Sequence, residues 1–249
     1  MNTTNKTILV TGGGSGIGFQ IAKLFSEKGN RVIITGRNEE KLKEAAIKLK
    51  NVNYLAADVT KEKDLDNLVT FVTSNYAGLD ILVNNAAVTT IYKLGADADA
   101  FEKAKGEIET NYLSVINLTE KLLPVLGKQP EAAIVNVNAI IGLAPSIHMP
   151  THSASKAALR SYTQVLRFTL ESAGSAIKVF ELMPPLVNTE FSKAIGGANG
   201  IPAEEVAQSL LKGLENDTPE MRIGRTDQFY QTFFAGSEQA VAALNQPKK

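Results

Sequence analysis

Cysteine and tryptophan are both absent from the 249 residues. Without cysteine there is no disulfide framework, no thiol nucleophile and no thiolate metal site. Histidine is scarce: the chain has two, His148 and His152. That HxxxH spacing can hold a metal when both residues ride one helix, but Pro150 falls between them and no third ligand is evident, so no metal is expected. Net charge is missing as well, since 26 Lys and Arg balance 26 Asp and Glu. Nucleic acids and acidic membranes demand clustered positive charge, so neither is an expected partner. No run approaches the roughly 18 apolar residues of a membrane span. The N-terminus passes from polar residues straight into an apolar strand, unlike a signal peptide. These absences leave a cytoplasmic protein as the expectation.

What is present is a rhythm. Short apolar, β-branched runs at 7–10, 31–35, 53–57, 79–83, 133–138 and 177–182 read as strands covered on both faces. Between them lie amphipathic stretches. Ile17, Ile21, Leu24 and Phe25 begin the series, which continues with Leu42, Ala45, Ala46 and Leu49, then Leu65, Leu68, Val69 and Val72. A long helical pattern covers 98–126, and others cover 153–171 and 203–214. The alternation predicts an α/β fold over 1–249 as a single domain: a doubly wound, Rossmann-like parallel sheet with helices on both faces. In such a sheet ligands bind at the carboxyl ends of the strands, where the strand order reverses.

The residues after each strand therefore carry the functional reading. The first strand leads into Thr11-Gly12-Gly13-Gly14-Ser15-Gly16-Ile17-Gly18. Glycines there allow a tight turn, close approach of a pyrophosphate and a helix start whose amides face the anion. The fitting register is Gly12, Gly16 and Gly18, because Ile17 breaks the GxGxxG spacing. After the second strand stand Gly36 and Arg37, where an NAD site usually has a carboxylate for the ribose hydroxyl. A cation at Arg37 suits the 2′-phosphate of NADP, so NADP (NADPH) is expected over NAD. Asp58-Val59 follows the third strand and Asn84-Asn85-Ala86-Ala87 the fourth.

These residues, with Asn111, Lys156 and the run Met183-Pro184-Pro185-Leu186-Val187-Asn188-Thr189, resemble the short-chain dehydrogenase/reductase pattern over the whole chain. Stretches 107–111, 128–133 and 180–185 are closer still to the oxidoreductase branch named for a gene beside teichoic-acid D-alanylation genes, a name that records an operon and not a reaction. The resemblance implies that Asp58 contacts the adenine, that Asn84 and Ala86 lie along the cofactor, and that Pro184, Val187 and Thr189 hold the nicotinamide amide. It implies that Asn111 interrupts its helix to position a proton-relay water, and that Lys156 binds the nicotinamide ribose. A homodimer or homotetramer is also implied.

Two members of the catalytic set are replaced. The family places a serine after the fifth strand, where this chain has Ala139 in the run Asn136-Val137-Asn138-Ala139. The family's proton-donating tyrosine lies four residues before the lysine, and here that position is His152. A neighbouring Lys156 disfavours imidazolium, so His152 should be neutral at pH 7, an acceptor and a poor donor. The expected function is an NADP-dependent oxidoreductase for a small hydrophobic ketone or alcohol, with activity impaired by both substitutions. Two alternatives stay open. One is a non-catalytic NADP(H)-binding sensor or interaction protein. The other is non-redox chemistry, in a natural or engineered variant, with His152 as base.

The substrate pocket is expected to include Ile140, Ile141, His148, Met149, Leu186 and Phe191, with Thr89 and Thr90 opposite. The glycine-rich stretch 191–202 reads as a lid. Phe229, Tyr230, Phe233 and Phe234 would share one helix face, sealing the core or placing 225–249 at a subunit interface.

Overall fold

The computed structural model describes residues 1–245. Its centre is a seven-stranded, all-parallel sheet. The strands are β1 (Thr7–Thr11), β2 (Arg31–Gly36), β3 (Val52–Ala56), β4 (Ile81–Asn84), β5 (Ala132–Val137), β6 (Ile177–Met183) and, after the short β7 (Val187–Asn188) and β8 (Ile201–Pro202), β9 (Glu220–Arg222). Their spatial order is β3-β2-β1-β4-β5-β6-β9, so the direction of winding reverses between β1 and β4. Every residue of β1, β4 and β5 is buried, as the unbroken apolar runs require of central strands.

Alternation along the strands builds two cores. Ile8, Val10, Val32, Ile34, Val83 and Val135 face α1 (Gly16–Glu27), α2 (Glu39–Ile47) and α7 (Ala203–Glu215), meeting Ile21, Phe25, Leu42 and Leu210. Leu9, Ile33, Leu82 and Ile134 point the other way, onto Leu65, Leu68, Leu118, Leu122 and Leu166 of α3 (Glu62–Asn75), α5 (Ser114–Leu126) and α6 (Pro150–Ser172). The period-two pattern thus sets which helices cover which face.

Three departures from the sequence reading matter. The single helix expected over 98–126 is α4 (Ala100–Ile108) and α5, joined by a π-helical turn at Glu109–Leu113 that contains Asn111. One extra residue per turn breaks the regular ladder there, a feature frequent at functional sites. β9 went unread because three residues with alternating charge carry no apolar run. The aromatic stripe lies on α8 (Arg225–Ala235) but does not seal the core: Phe234 is exposed, and Tyr230 packs beneath the Arg222 guanidinium at 4.0 Å. α9 (Ser237–Asn245) follows it, and Pro247–Lys249 lies outside the described residues. Among the described residues no helix is long and apolar enough to cross a membrane.

Candidate active site

A cavity of about 940 Å³ opens at the carboxyl ends of β1, β4 and β5, where the winding reverses. At one end its wall is the turn from β1 into α1. Gly12 has φ +65°, and a Cβ on it would lie 2.9 Å from Asn85 Nδ2. Gly18 touches the strand end so closely that a Cβ would sit 2.4 Å from the Gly12 carbonyl oxygen, which is what brings the helix N-terminus up to the cavity. Gly12, Gly14, Ser15, Gly16 and Ile17 line this end, with Arg37, Asp58, Val59 and Ala86. Burial works against the Asp58 carboxylate. Bonds from Thr60 N and Oγ1 and the charges of Arg37 and Lys61 outweigh it and hold its pKa below the ordinary value. Pro184, Val187, Thr189 and Lys156 complete this wall. The bare backbone at the cradle and a helix start behind it fit the pyrophosphate of a dinucleotide.

Three residues expected to touch a cofactor stand behind the wall. Thr11 accepts the N–H groups of Asn85 and Ala86 at 2.9 Å on its hydroxyl, and so fixes the end of β4 against β1. Asn84 is buried and donates to Asn136 Oδ1 at 2.9 Å, tying β4 to β5. Gly18 acts through packing alone, as described. Thr89 and Thr90 also fall outside the cavity: Thr90 N donates to Glu107, and the Thr89 hydroxyl is buried without a partner. Val88 and Ile91 line the cavity in their place.

The other end holds the catalytic positions. Ala139, Ile140, Ile141, His148, Met149, His152, Leu186 and Phe191 all line it. His152 rides the first turn of α6, which Pro150 opens at a position that needs no N–H donor. Its protonation state follows from its neighbours. The Asn111 amide spends both hydrogens, on Val88 O at 3.0 Å and Ser155 Oγ at 2.9 Å, while its Oδ1 accepts the Val88 N–H. The same amide nitrogen lies 3.2 Å from His152 Nδ1, but its two hydrogens point at the nearer Val88 and Ser155 oxygens, and Nδ1 itself lies 2.9 Å from the Val88 carbonyl oxygen. A carbonyl only accepts, so Nδ1 carries the hydrogen. Nε2 has no partner among the described residues and keeps its lone pair for the cavity. Burial first, and then the charge of Lys156, push the His152 pKa down to about 3.

Lys156 is buried, donates to Val137 O at 2.8 Å, and is pushed down to about 8 by burial despite the opposing charge of Glu181. Ala139 offers only a methyl group, and its N–H is held by Asn138 Oδ1. Asn138 itself is spent on the Lys156 carbonyl and on Glu181, and Ser153 on Met149 O, so neither replaces the lost hydroxyl. No tyrosine lines the cavity among the described residues; the Tyr92 phenol pairs with Thr151 instead.

Several contributors lay outside the sequence reading. Buried Glu107 ties Thr90 to Thr151, next to His152. Lys41 reaches Glu190 at 3.1 Å, bridging α2 and the turn Glu190–Ile195 beside the cradle. That turn and the next, Gly197–Asn199, form the stretch read as a lid, and Phe191 places its ring 6.1 Å from that of His152. Arg225 and Asn245 bring the C-terminal helices into the wall. An Asn in a terminal helix gives no local signal; Arg225 had one, a cation at the helix end that disfavours cations.

A family model described as short chain dehydrogenase matches residues 6–200. The chain belongs to the short-chain dehydrogenase family, and the oxidoreductase class follows from that membership. It is 34% identical over 232 residues to an uncharacterized oxidoreductase, DltE, of Bacillus subtilis (strain 168), with 91% of each chain covered. It is similar to a short-chain dehydrogenase from Burkholderia cenocepacia J2315 in complex with NADP: 25% identity, TM-score 0.87, 99% of this chain and all of that one. A short-chain dehydrogenase/reductase from Burkholderia phymatum in complex with NAD shares the fold at TM-score 0.88 and 19% identity, covering 100% and 98%.

Proposed function

We propose that this chain is an NADP-dependent oxidoreductase acting between a hydrophobic alcohol and its ketone, with carbonyl reduction severely impaired. One observation carries the reading. The wall beside Lys156 presents Ala139 and a neutral His152, and neither can give a proton to a carbonyl oxygen at pH 7. A bound nicotinamide would supply or accept the hydride. The chain's own residues do the rest. Gly12, Gly14, Ser15, Gly16 and Ile17 would receive the pyrophosphate, Arg37 the 2′-phosphate, and Lys156 the nicotinamide ribose. His152 Nε2 accepts the proton of an alcohol. Losing one oxyanion-type donor costs about 10²–10³ in rate, and losing general acid help about 10²–10⁴. The two need not multiply, because such residues act as a unit.

The test titrates NADPH and NADH by fluorescence, then assays hydrophobic ketones and alcohols with this chain and with Ala139→Ser plus His152→Tyr. NADPH binding by both, with ketone reduction gained in the double variant, is expected. Equal turnover would overturn the impairment. A second reading, an NADP(H)-binding protein without turnover, is favoured by the same missing donors. It would prevail if the double variant reduced ketones while the native chain oxidised no alcohol.

A further inference from the structure

Arg225 is an exposed charge with no structural partner among the described residues. It opens α8, and a cation in the first turn runs against the positive end of the helix dipole. Among the described residues it makes no ion pair and no side-chain hydrogen bond, although Arg222 three positions earlier pairs with Asp227 at 2.8 Å. It lines the large cavity, and with Asn199, Pro185, Leu186 and Ile201 it also walls a smaller adjoining one of about 220 Å³. The Asn199 amide likewise has no side-chain partner among the described residues. The other cations of the large cavity are committed elsewhere: Arg37 and Lys41 line the cradle end, and Lys156 is tied to Val137. The cavity that holds Arg225 and His152 also carries the apolar side chains of Met149, Leu186 and Phe191, beside polar Ser146, His148 and Asn245.

We propose that Arg225, assisted by Asn199, anchors a carboxylate on the substrate, so that the substrate is an amphipathic hydroxy acid with its hydroxyl at His152 and its anion at the cavity mouth. A guanidinium matches a planar carboxylate with two parallel bonds. A single cation neutralises a single charge, which favours a carboxylate over a phosphate dianion. The inference rests on the oxidoreductase reading, whose pocket it completes.

The probes are aliphatic hydroxycarboxylates of increasing chain length and the matching primary amides and phosphate esters, with binding followed by thermal shift with and without NADP⁺. The native protein is expected to bind the best-fitting carboxylate about tenfold more tightly than its amide. Arg225→Gln should bring that ratio close to one, and Arg225→Lys should retain part of it, with NADPH affinity unchanged in both variants. An unchanged ratio in Arg225→Gln, equal binding of acid and amide at every length, or tighter binding of the phosphate ester would overturn the proposal. So would a fall in NADPH affinity in Arg225→Gln, which would place the guanidinium against the cofactor. Loss of NADPH binding by the native chain would defeat the oxidoreductase reading instead. A carboxylate preference measured without NADP⁺ would still stand.

Discussion

His152 and Val88 share a hydrogen bond, 2.9 Å from ring Nδ1 to the carbonyl oxygen, that decides which imidazole nitrogen carries the proton. The free Nε2 faces the cavity as a base in a ring that burial and Lys156 keep neutral. Position 152 therefore stays unprotonated over a wide pH range, a weak base with a free lone pair and no imidazolium proton to give.

Alcohol oxidation that depends on this base should be independent of His152 ionisation from about pH 5 to 7, because its pKa is held near 3. The measurement is kcat/KM against pH for an alcohol found in the substrate panel, for the native chain and His152→Phe. His152→Phe should lower kcat/KM, by less than the roughly 10²–10⁴ of a base matched to pH 7, because a pKa near 3 makes a weak base. An inflection near 6.5 that vanishes in His152→Phe would show a hydrated, ordinary imidazole and contradict the buried tautomer.

Stability should respond to pH through two buried groups of opposite sign. His152 falls from 6.5 to about 3 in the fold. The unfolded chain then binds the extra proton in that window, and the folded state loses stability as pH drops through it. Glu181 is pushed up from 4.5 to about 7, by burial first, against the lowering effects of Arg160 and Asn138. Its stabilising protonation is complete below 4.5 and is lost as pH rises toward 7. Between about 4.5 and 6.5 the two slopes, each at most about 1.4 kcal/mol per pH unit, oppose one another. Urea midpoints should thus be nearly flat with pH in the native chain. They should fall with rising pH in His152→Phe and rise in Glu181→Gln. Parallel profiles for all three would refute the assignment.

The cradle separates shape from binding. Gly18→Ala forces a Cβ to 2.4 Å from the Gly12 carbonyl, a backbone atom that cannot step aside. It should cost about 1–3 kcal/mol of stability and weaken NADPH binding. Gly14→Ala meets nothing nearer than Leu42 at 3.5 Å, so its melting temperature should match the native value while any loss falls on NADPH affinity alone. Calorimetry together with fluorescence titration distinguishes the two, and equal destabilisation would count against the packing role of Gly18.

Arg37 lines the cavity near Asp58, whose carboxylate it helps keep ionised. Arg37→Ala should weaken NADPH binding about tenfold or more, the scale of a charge-assisted contact, and leave NADH nearly unchanged. Equal losses for both nucleotides would show that the guanidinium does not meet the 2′-phosphate.

The sheet and its helices were legible because apolar residues recur at spacings that only parallel strands and covering helices satisfy. The strand order placed Gly12, Gly14, Ser15, Gly16, Ile17 and Asp58 around one cavity, as their positions after strands require, and α6 brings Lys156 to it. What stayed hidden depends on side-chain direction. Nothing local says that Asn84 turns inward to Asn136 rather than outward to a ligand, or that Thr11 is consumed by Asn85 and Ala86. Arg225 and Asn245 reach the cavity only because the C-terminal helices fold back over it, a contact made across long sequence separation. The Asn111 turn was foreseeable as an interruption, but its effect on the His152 tautomer required the positions of Val88 and Ser155.

Arg160 and Glu181 carry the last expectation. Their side chains meet at 2.7 Å, Glu181 with no exposure at all, and Glu220 lies 3.6 Å from the same guanidinium. Glu181 also holds the Asn138 amide, which in turn grips the Lys156 carbonyl and the Ala139 N–H. Removing Arg160 takes away the charge that holds down the Glu181 pKa, already about 7, so the carboxyl takes up a proton and stays in the core unpaired. Arg160→Met should destabilise the chain by about 1–3 kcal/mol at pH 7, and by more as pH rises. Replacing both partners, Arg160→Met with Glu181→Leu, removes the unpaired buried carboxyl and should recover most of that loss. It should still weaken NADPH binding, because Asn138 loses the partner that steadies it beneath Lys156. A double-mutant cycle by urea denaturation reads the first effect and fluorescence titration the second. A double variant as unstable as Arg160→Met alone would mean that the pair matters for packing rather than for charge.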